Sequence, residues 1–211
     1  MRGIVFAGAE RPQPDILRKI SHNASLLAAA DSGLIAMEEA GLKPDWILGD
    51  MDSLDDQNRL LKYPPERIMR FNTDKDYTDT ELAFNLLRKK GCDEIIIAGG
   101  GGGRIDHLFG IRALFEREDP PYSWFTSREE IFCLNEKKSL EKTLPVNSLV
   151  SLLPLGSGPW QAESQGLKWP LDNFGWKKDT VGLSNIALNG DFIVNSVRGR
   201  FMLIMPIFFN D

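Results

Sequence analysis

Trp46-Ile47-Leu48-Gly49-Asp50-Met51-Asp52-Ser53 joins a short apolar run to an acidic turn. The run reads as a buried strand, so Asp50 and Asp52 stand at a strand's carboxyl end. In an open α/β sheet that edge is where ligands bind, and Asp-x-Asp on a tight turn points both acids at one hard cation. The arrangement recurs at Ile68-Met69-Arg70-Phe71, followed by Asp74-Lys75-Asp76-Tyr77-Thr78-Asp79. Outward from these two units, strands are expected at about 3–7, 25–30, 45–48, 67–71, 94–98 and 122–126. Helical patterns at 13–20, 33–40, 55–62, 79–90 and 104–117 alternate with them. That alternation predicts a parallel α/β sheet, and two acidic loops on one sheet edge suggest a magnesium site.

Each acid pair also has a bland explanation, because Asp accepts backbone N–H bonds at turns and helix caps. Thr78-Asp79-Thr80-Glu81 spells a capping box, with Thr78 as N-cap, Glu81 reaching back and Asp79 favoured by the helix dipole. Capping leaves Asp74 and Asp76 unexplained, and it does not account for two acid pairs at equivalent places in neighbouring βα units.

A third loop adds an anion site. Glu94-Ile95-Ile96-Ile97-Ala98 has high β-propensity and runs into five glycines, Gly99 to Gly103, then Arg104-Ile105-Asp106-His107. Glycines such as Gly102 and Gly103 let the backbone approach a phosphate, and the following helix start offers free N–H donors. No Gly-Lys-Ser/Thr follows, so this is not a Walker A loop. A dinucleotide fold would carry its glycine motif after the first strand, which argues against a dehydrogenase. Arg104 suits bidentate phosphate binding, and Asp106 can pair with it, receive a hydroxyl proton or join a metal shell. The plain alternative is a surface ion pair worth at most about 1 kcal/mol. His107 reads equally as a structural or a catalytic residue.

Taken in order, Ala30-Asp31-Ser32-Gly33, Gly49 to Ser53, Asp74 to Asp79 with Glu81 and Ala83, and Gly102-Gly103-Arg104-Ile105-Asp106-His107 resemble the motifs of bacterial thiamine pyrophosphokinases (thiamine diphosphokinases). Ser164-Gln165-Gly166-Leu167-Lys168-Trp169-Pro170-Leu171 and Gly182-Leu183-Ser184-Asn185 look like that family's signatures in a second domain. Two positions depart from the pattern: Ser32, where many members carry Gly, and Ile111, where an Asn often stands.

The resemblance implies transfer of diphosphate from ATP to thiamine. It assigns Asp50, Asp52 and Asp79 to Mg2+ and the β- and γ-phosphates, and Arg104 to the developing charge. Asp31, Lys75, Asp76 and Thr78 would complete the nucleotide site, and Asp106 would orient or deprotonate the acceptor hydroxyl. Thiamine would meet Ser184 and Asn185, with Trp169 as a stacking face, in a homodimer whose site lies between the α/β domain of one subunit and the sandwich of the other. Two rivals stay open: an Mg-dependent phosphohydrolase of small phosphorylated metabolites, and a non-catalytic thiamine or nucleotide sensor on the same fold.

The chain's 211 residues, 42% of them hydrophobic, are enough to bury a substantial core. A net charge of −5 argues against nucleic acid or a membrane surface as partner, since either would favour a basic face. Cys92 and Cys133 stand in unrelated contexts and read as reduced thiols of a cytoplasmic protein. The apolar run at the N-terminus is too short for a signal peptide and reads as a first strand. No stretch approaches the roughly 20 apolar residues of a membrane span.

Near residue 127 the helical patterns stop. Ile131-Phe132-Cys133-Leu134, Ser148 to Leu153, Ser184 to Leu188, Phe192-Ile193-Val194 and Arg200 to Ile207 are short apolar runs broken by Gly, Pro, Asn and Asp. They predict a catalytic α/β domain over 1–126 followed by a small antiparallel β-sandwich over 127–211. Trp160, Trp169 and Trp176 fall within the second part. Tryptophans in small β-domains are core residues more often than ligand platforms.

Overall fold

Gly3 to Phe6 forms an apolar run, and in the computed structural model it lies in a strand, β1 (Arg2–Phe6), whose last four residues are fully buried. The structure describes residues 1–52, 54, 56–72, 74 and 76–209. Further strands follow at β2 (Leu26–Ala30), β3 (Trp46–Gly49), β4 (Ile68–Arg70), β5 (Glu94–Ala98) and β6 (Ser123–Phe125), with helices α1 (Pro14–Ser21), α2 (Gly33–Glu39), α3 (Asp79–Lys89) and α4 (Ile105–Leu114) between them. The strands pair in parallel in the order β6-β5-β1-β2-β3-β4. β2 is Leu-Leu-Ala-Ala-Ala, a helix-forming composition, yet it is a strand. Its three alanines are almost wholly buried, where small side chains let a helix lie close on the sheet, and packing overrides propensity. From α3, Ala83, Phe84 and Leu87 join Val5, Ala28, Leu48 and Ile95 in one core.

Two segments differ from the sequence reading. The helix expected over 55–62 is a 3₁₀ turn, Gln57–Lys62, capped by the Asp56 carboxylate, which accepts from Asn58 N at 2.8 Å. Tyr63 and Pro64 follow directly, and a residue before proline is pushed out of the α region, which leaves too few residues to sustain an α-helix. The helix expected over 104–117 ends at Leu114.

The contact pattern divides the chain into two compact units: Met1–Leu114 with Pro121–Ser127, and Phe115–Pro120 with the chain from Arg128 onward. In the second unit β7 (Glu129–Leu134), β9 (Ser148–Leu155), β11 (Gly182–Ala187) and β13 (Arg200–Pro206) form one antiparallel sheet in the order β11-β9-β13-β7. The other sheet is β10-β12-β8, with β8 at Ser139–Thr143, β10 at Gln161–Gln165 and β12 at Asp191–Arg198. Side chains from both sheets share one core: Phe132, Val150, Phe201 and Leu203 from the first, Ala162, Phe192 and Val194 from the second. The unit is a β-sandwich and the chain is of mixed α/β class. Strands β8 and β10 were not legible as strands because they are edge strands built from Ser, Glu, Lys and Gln, with little apolar alternation to reveal them. Among the described residues no helix is long and apolar enough to cross a membrane.

Candidate active site

The strand order reverses at β1: one crossover series runs outward through β2, β3 and β4, the other through β5 and β6. The rule for open α/β sheets places a ligand crevice beyond the carboxyl ends of the strands at such a switch point. A cavity of about 690 Å3 lies there. Each turn at that edge supplies part of its wall: Ala7, Gly8 and Ala9 after β1, Asp31 and Ser32 after β2, Asp50 and Asp52 after β3, and Gly100, Gly102 and Arg104 after β5. Asp76 to Thr80 at the start of α3, and His107, Gly110, Ile111 and Leu114 of α4, close the sides. Among the described residues of this edge three that are not glycine hold positive φ, Ala9 at 66°, Asp31 at 50° and Met51 at 67°. Such conformations cost free energy and cluster at functional sites. Met51 is fully buried, which anchors the acidic turn while its neighbours Asp50 and Asp52 line the cavity.

One carboxylate oxygen from each of Asp31, Asp50 and Asp79 lies within 4.8 Å of the other two. Asp31 sits in the turn after β2, its N–H donating to Leu48 O at 2.7 Å, and Asp79 opens α3. Asp52 is not in this trio. It is exposed, and its backbone N–H donates to Asp50 Oδ1 at 3.3 Å. The capping box is present as read: Glu81 N donates to Thr78 Oγ1 at 3.2 Å and Thr78 N to Glu81 Oε2 at 2.9 Å, which sets the start of α3 and hence the position of Asp79. Three carboxylate oxygens so close repel one another, and a hard divalent cation relieves that repulsion; an all-oxygen donor set is the one Mg2+ takes. The residues fit such an ion.

The glycine loop is stitched to the turn after β1. Gly100 N donates to Gly8 O at 2.8 Å, and Glu10 and Gly101 exchange backbone bonds at 2.8 and 3.2 Å. Gly102 has φ +64°, a conformation that favours glycine, and a Cβ there would stand 2.4 Å from the Glu10 carboxyl carbon, so a larger residue would also displace the Glu10 side chain. Arg104 grips Asp106 with two bonds, Nε to Oδ1 at 3.1 Å and Nη2 to Oδ2 at 2.6 Å, and Asp106 Oδ1 also accepts from His107 N at 3.0 Å. The hydrogen bond from Arg104 holds the Asp106 carboxyl below the usual carboxylate range, and the same bond raises the guanidinium. Asp106 is thus a weak base while Arg104 holds it. Lys75 and Ser53 lie outside the described residues.

In the sandwich, Ser184 holds φ +59° while its N–H donates to Ser151 Oγ at 3.0 Å. The Asn185 side chain is buried against the backbone of Trp169, and the Trp169 ring is half exposed. Trp160 and Trp176 pack against the core instead, the first donating Nε1–H to Leu155 O at 2.7 Å.

The sequence reading put Asp31 at the nucleotide rather than beside Asp50 and Asp79, and it missed the Ala7-Gly8-Ala9 turn. The signal for Asp31 was its place directly after a strand, matching that of Asp50.

A parallel α/β sheet with an acid trio, a glycine loop and an arginine around one switch-point cavity defines a phosphate-handling α/β protein. Residues 17–120 match the family described as thiamin pyrophosphokinase, catalytic domain. Over its α/β unit the chain is similar to the thiamine pyrophosphokinases, as the resemblance of its motifs implied. It is 26% identical over 180 residues to the thiamine pyrophosphokinase of Bacillus subtilis (strain 168), covering 81% of each chain. It is 29% identical over 162 residues to thiamine pyrophosphokinase 1 of Oryza sativa subsp. japonica, covering 70% of this chain and 59% of that protein. The crystal structure of the Bacillus subtilis enzyme superposes with a TM-score of 0.82 at 21% identity, covering 99% of this chain and 100% of that one. That of the Geobacillus thermodenitrificans enzyme gives 0.79 at 22%, covering 99% and 98%. These two likenesses show the shared fold.

Proposed function

We propose that this protein transfers the terminal diphosphate of ATP to the hydroxyethyl group of thiamine, giving thiamine diphosphate and AMP. The observation that carries the reading is the convergence of Asp31, Asp50 and Asp79 with Arg104 on one cavity at the switch point; the names of the relatives supply the acceptor. The thiamine hydroxyl oxygen attacks the β-phosphorus, the bond from that phosphorus to the α–β bridging oxygen breaks, and AMP leaves with the electron pair. Such chemistry asks for alignment and charge neutralisation more than for covalent catalysis. Asp31, Asp50 and Asp79, with Asp52 at the rim, would hold Mg2+, which when bound neutralises phosphate charge. The backbone at Gly102 and Gly103 and the Arg104 guanidinium would face the phosphates, since the N–H groups of Gly99, Gly100 and Gly101 are spent on Phe125, Gly8 and Glu10. Asp76 and Thr78 border the nucleotide. The hydroxyl proton leaves late in a loose transition state, so the weak base Asp106 is adequate to receive it.

The sandwich handles the acceptor through Trp169 and Ser184. By the resemblance the protein is a cytoplasmic homodimer, and its net charge of −5 speaks against a nucleic-acid partner. Incubation with ATP, Mg2+ and thiamine tests the reading: AMP and thiamine diphosphate appear together, and chelation of the metal stops both. Free phosphate without thiamine would identify a phosphohydrolase, and binding without turnover a sensor.

A further inference from the structure

Asn185 is a buried amide with three hydrogen bonds, none of them to solvent. It is 7% exposed. Its Oδ1 accepts from Trp169 N at 3.1 Å and from Ile186 N at 2.9 Å, and its Nδ2 donates to Trp169 O at 2.6 Å. A side chain used in this way leaves little for a ligand, because an amide offers two donors and two acceptor lone pairs in all. What it grips, however, is the backbone of an exposed aromatic residue.

The loop bearing Trp169 is held at every other point as well. Leu167 and Leu171 are buried in the sandwich core at 6% and 5% exposure. Lys168 N donates to Ile186 O at 2.9 Å, and Leu171 N to Ser164 Oγ at 3.0 Å. Pro170 restricts Trp169 to extended backbone. Between these anchors the Trp169 side chain stays 52% exposed, with the Lys168 ammonium 4.6 Å from its ring centroid. The ring therefore already carries a cation on its face, as an electron-rich indole does. An exposed tryptophan on a rigid mount is a ready platform for an aromatic cation, which would displace the Lys168 ammonium and stack.

We propose that Asn185 is a positioning residue for Trp169: it fixes the indole that meets the cationic acceptor and does not itself contact that acceptor. The inference rests on thiamine being the acceptor.

A double-mutant cycle tests it, with thiamine affinity measured by calorimetry and KM for both substrates measured by initial rates. Trp169→Ala and Asn185→Ala are each expected to weaken thiamine by about tenfold, the scale of a lost cation–π contact. KM for ATP stays within about twofold, as expected when only acceptor binding is removed. The double variant is expected to bind thiamine no more weakly than Trp169→Ala, because a residue acting through another loses its effect once the other is gone. Additive losses, or an Asn185→Ala variant with unchanged affinity, overturn the proposal. Asn185→Asp keeps both accepted bonds but sets a carboxylate oxygen against Trp169 O in place of the donor, and its melting temperature, measured beside that of Asn185→Ala, controls for misfolding. Its expected loss of affinity should likewise vanish in the Trp169→Ala background, and persistence there counts against the proposal. A wild-type protein that binds no thiamine would instead sink the reading of the acceptor.

Discussion

Replacing Asp31 by Asn removes one of three carboxylates whose oxygens lie within 4.8 Å of one another. Turnover is expected to fall at least about 100-fold, as when a transition state loses one preorganised partner for its charge. Asp50→Asn should match it, and both variants should melt with the wild type, since removing a repulsive charge does not harm the fold. Full activity in the two would end the metal assignment. At Arg104 the informative change is Arg104→Lys, which keeps the charge but loses the planar fork now gripping Asp106 with two bonds. Most of kcat should go with it. An unchanged kcat would leave Arg104 as nothing more than the partner of a surface carboxylate.

Among the elements, α2 and the 3₁₀ turn each follow a strand end that carries site acids, and Glu38 ties them together. Its carboxylate accepts from Arg59, from Lys62 at 3.4 Å and from Tyr63 at 3.1 Å. Burial alone would raise the Glu38 carboxyl, but the hydrogen bonds from Arg59 and Tyr63 together with the charges of Lys62 and Arg59 outweigh it and the net shift is downward. A carboxyl held low in the folded state stabilises above its ordinary pKa, and that contribution is lost as pH falls through the folded value. Glu38→Ala is therefore expected to destabilise by about 1–3 kcal/mol at neutral pH, the scale of removing the acceptor of part-buried donors. The difference should shrink below pH 4. Thermal melts of both proteins across pH 3–7 check this, and a gap that stays constant to the acid end would show that Glu38 acts by packing alone. Tyr63, pushed up to about 12 by burial with the Glu38 charge beside it, stays protonated throughout that range.

For the molecule as a whole, the two thiols report separately on its two units. Cys92 is 2% exposed in the α/β unit, and burial raises its thiol; burial pushes Cys133 of the sandwich to about 11. Thiolate is the reactive form. At pH 8 neither cysteine should react with a disulfide reagent within minutes in the native protein, and both should react once denaturant opens their unit. Denaturant titration with mass spectrometry of labelled peptides shows which unit opens first. Cys133 is only partly buried on β7, so its rapid labelling in the native state would show that this burial does not hold the thiol protonated.

The α/β class, the turns at strand ends and the capping box at Thr78 were legible in the sequence because each is set by neighbours along the chain. Apolar runs, glycines and acids act over a few residues, and their pattern survives in one dimension. The 3₁₀ turn at Gln57–Lys62 failed only where Pro64 cut the helix short, and the polar edge strands β8 and β10 failed because an edge needs no apolar face. Tertiary structure decided the rest. That Asp31 rather than Asp52 joins Asp50 and Asp79 follows from strand order and from the buried Met51 that turns the loop, neither of which a local pattern encodes. That Asn185 is spent on the backbone of Trp169 follows from β11 lying beside the 166–171 loop, since a hydrogen-bonding side chain takes whichever partner the fold brings within reach.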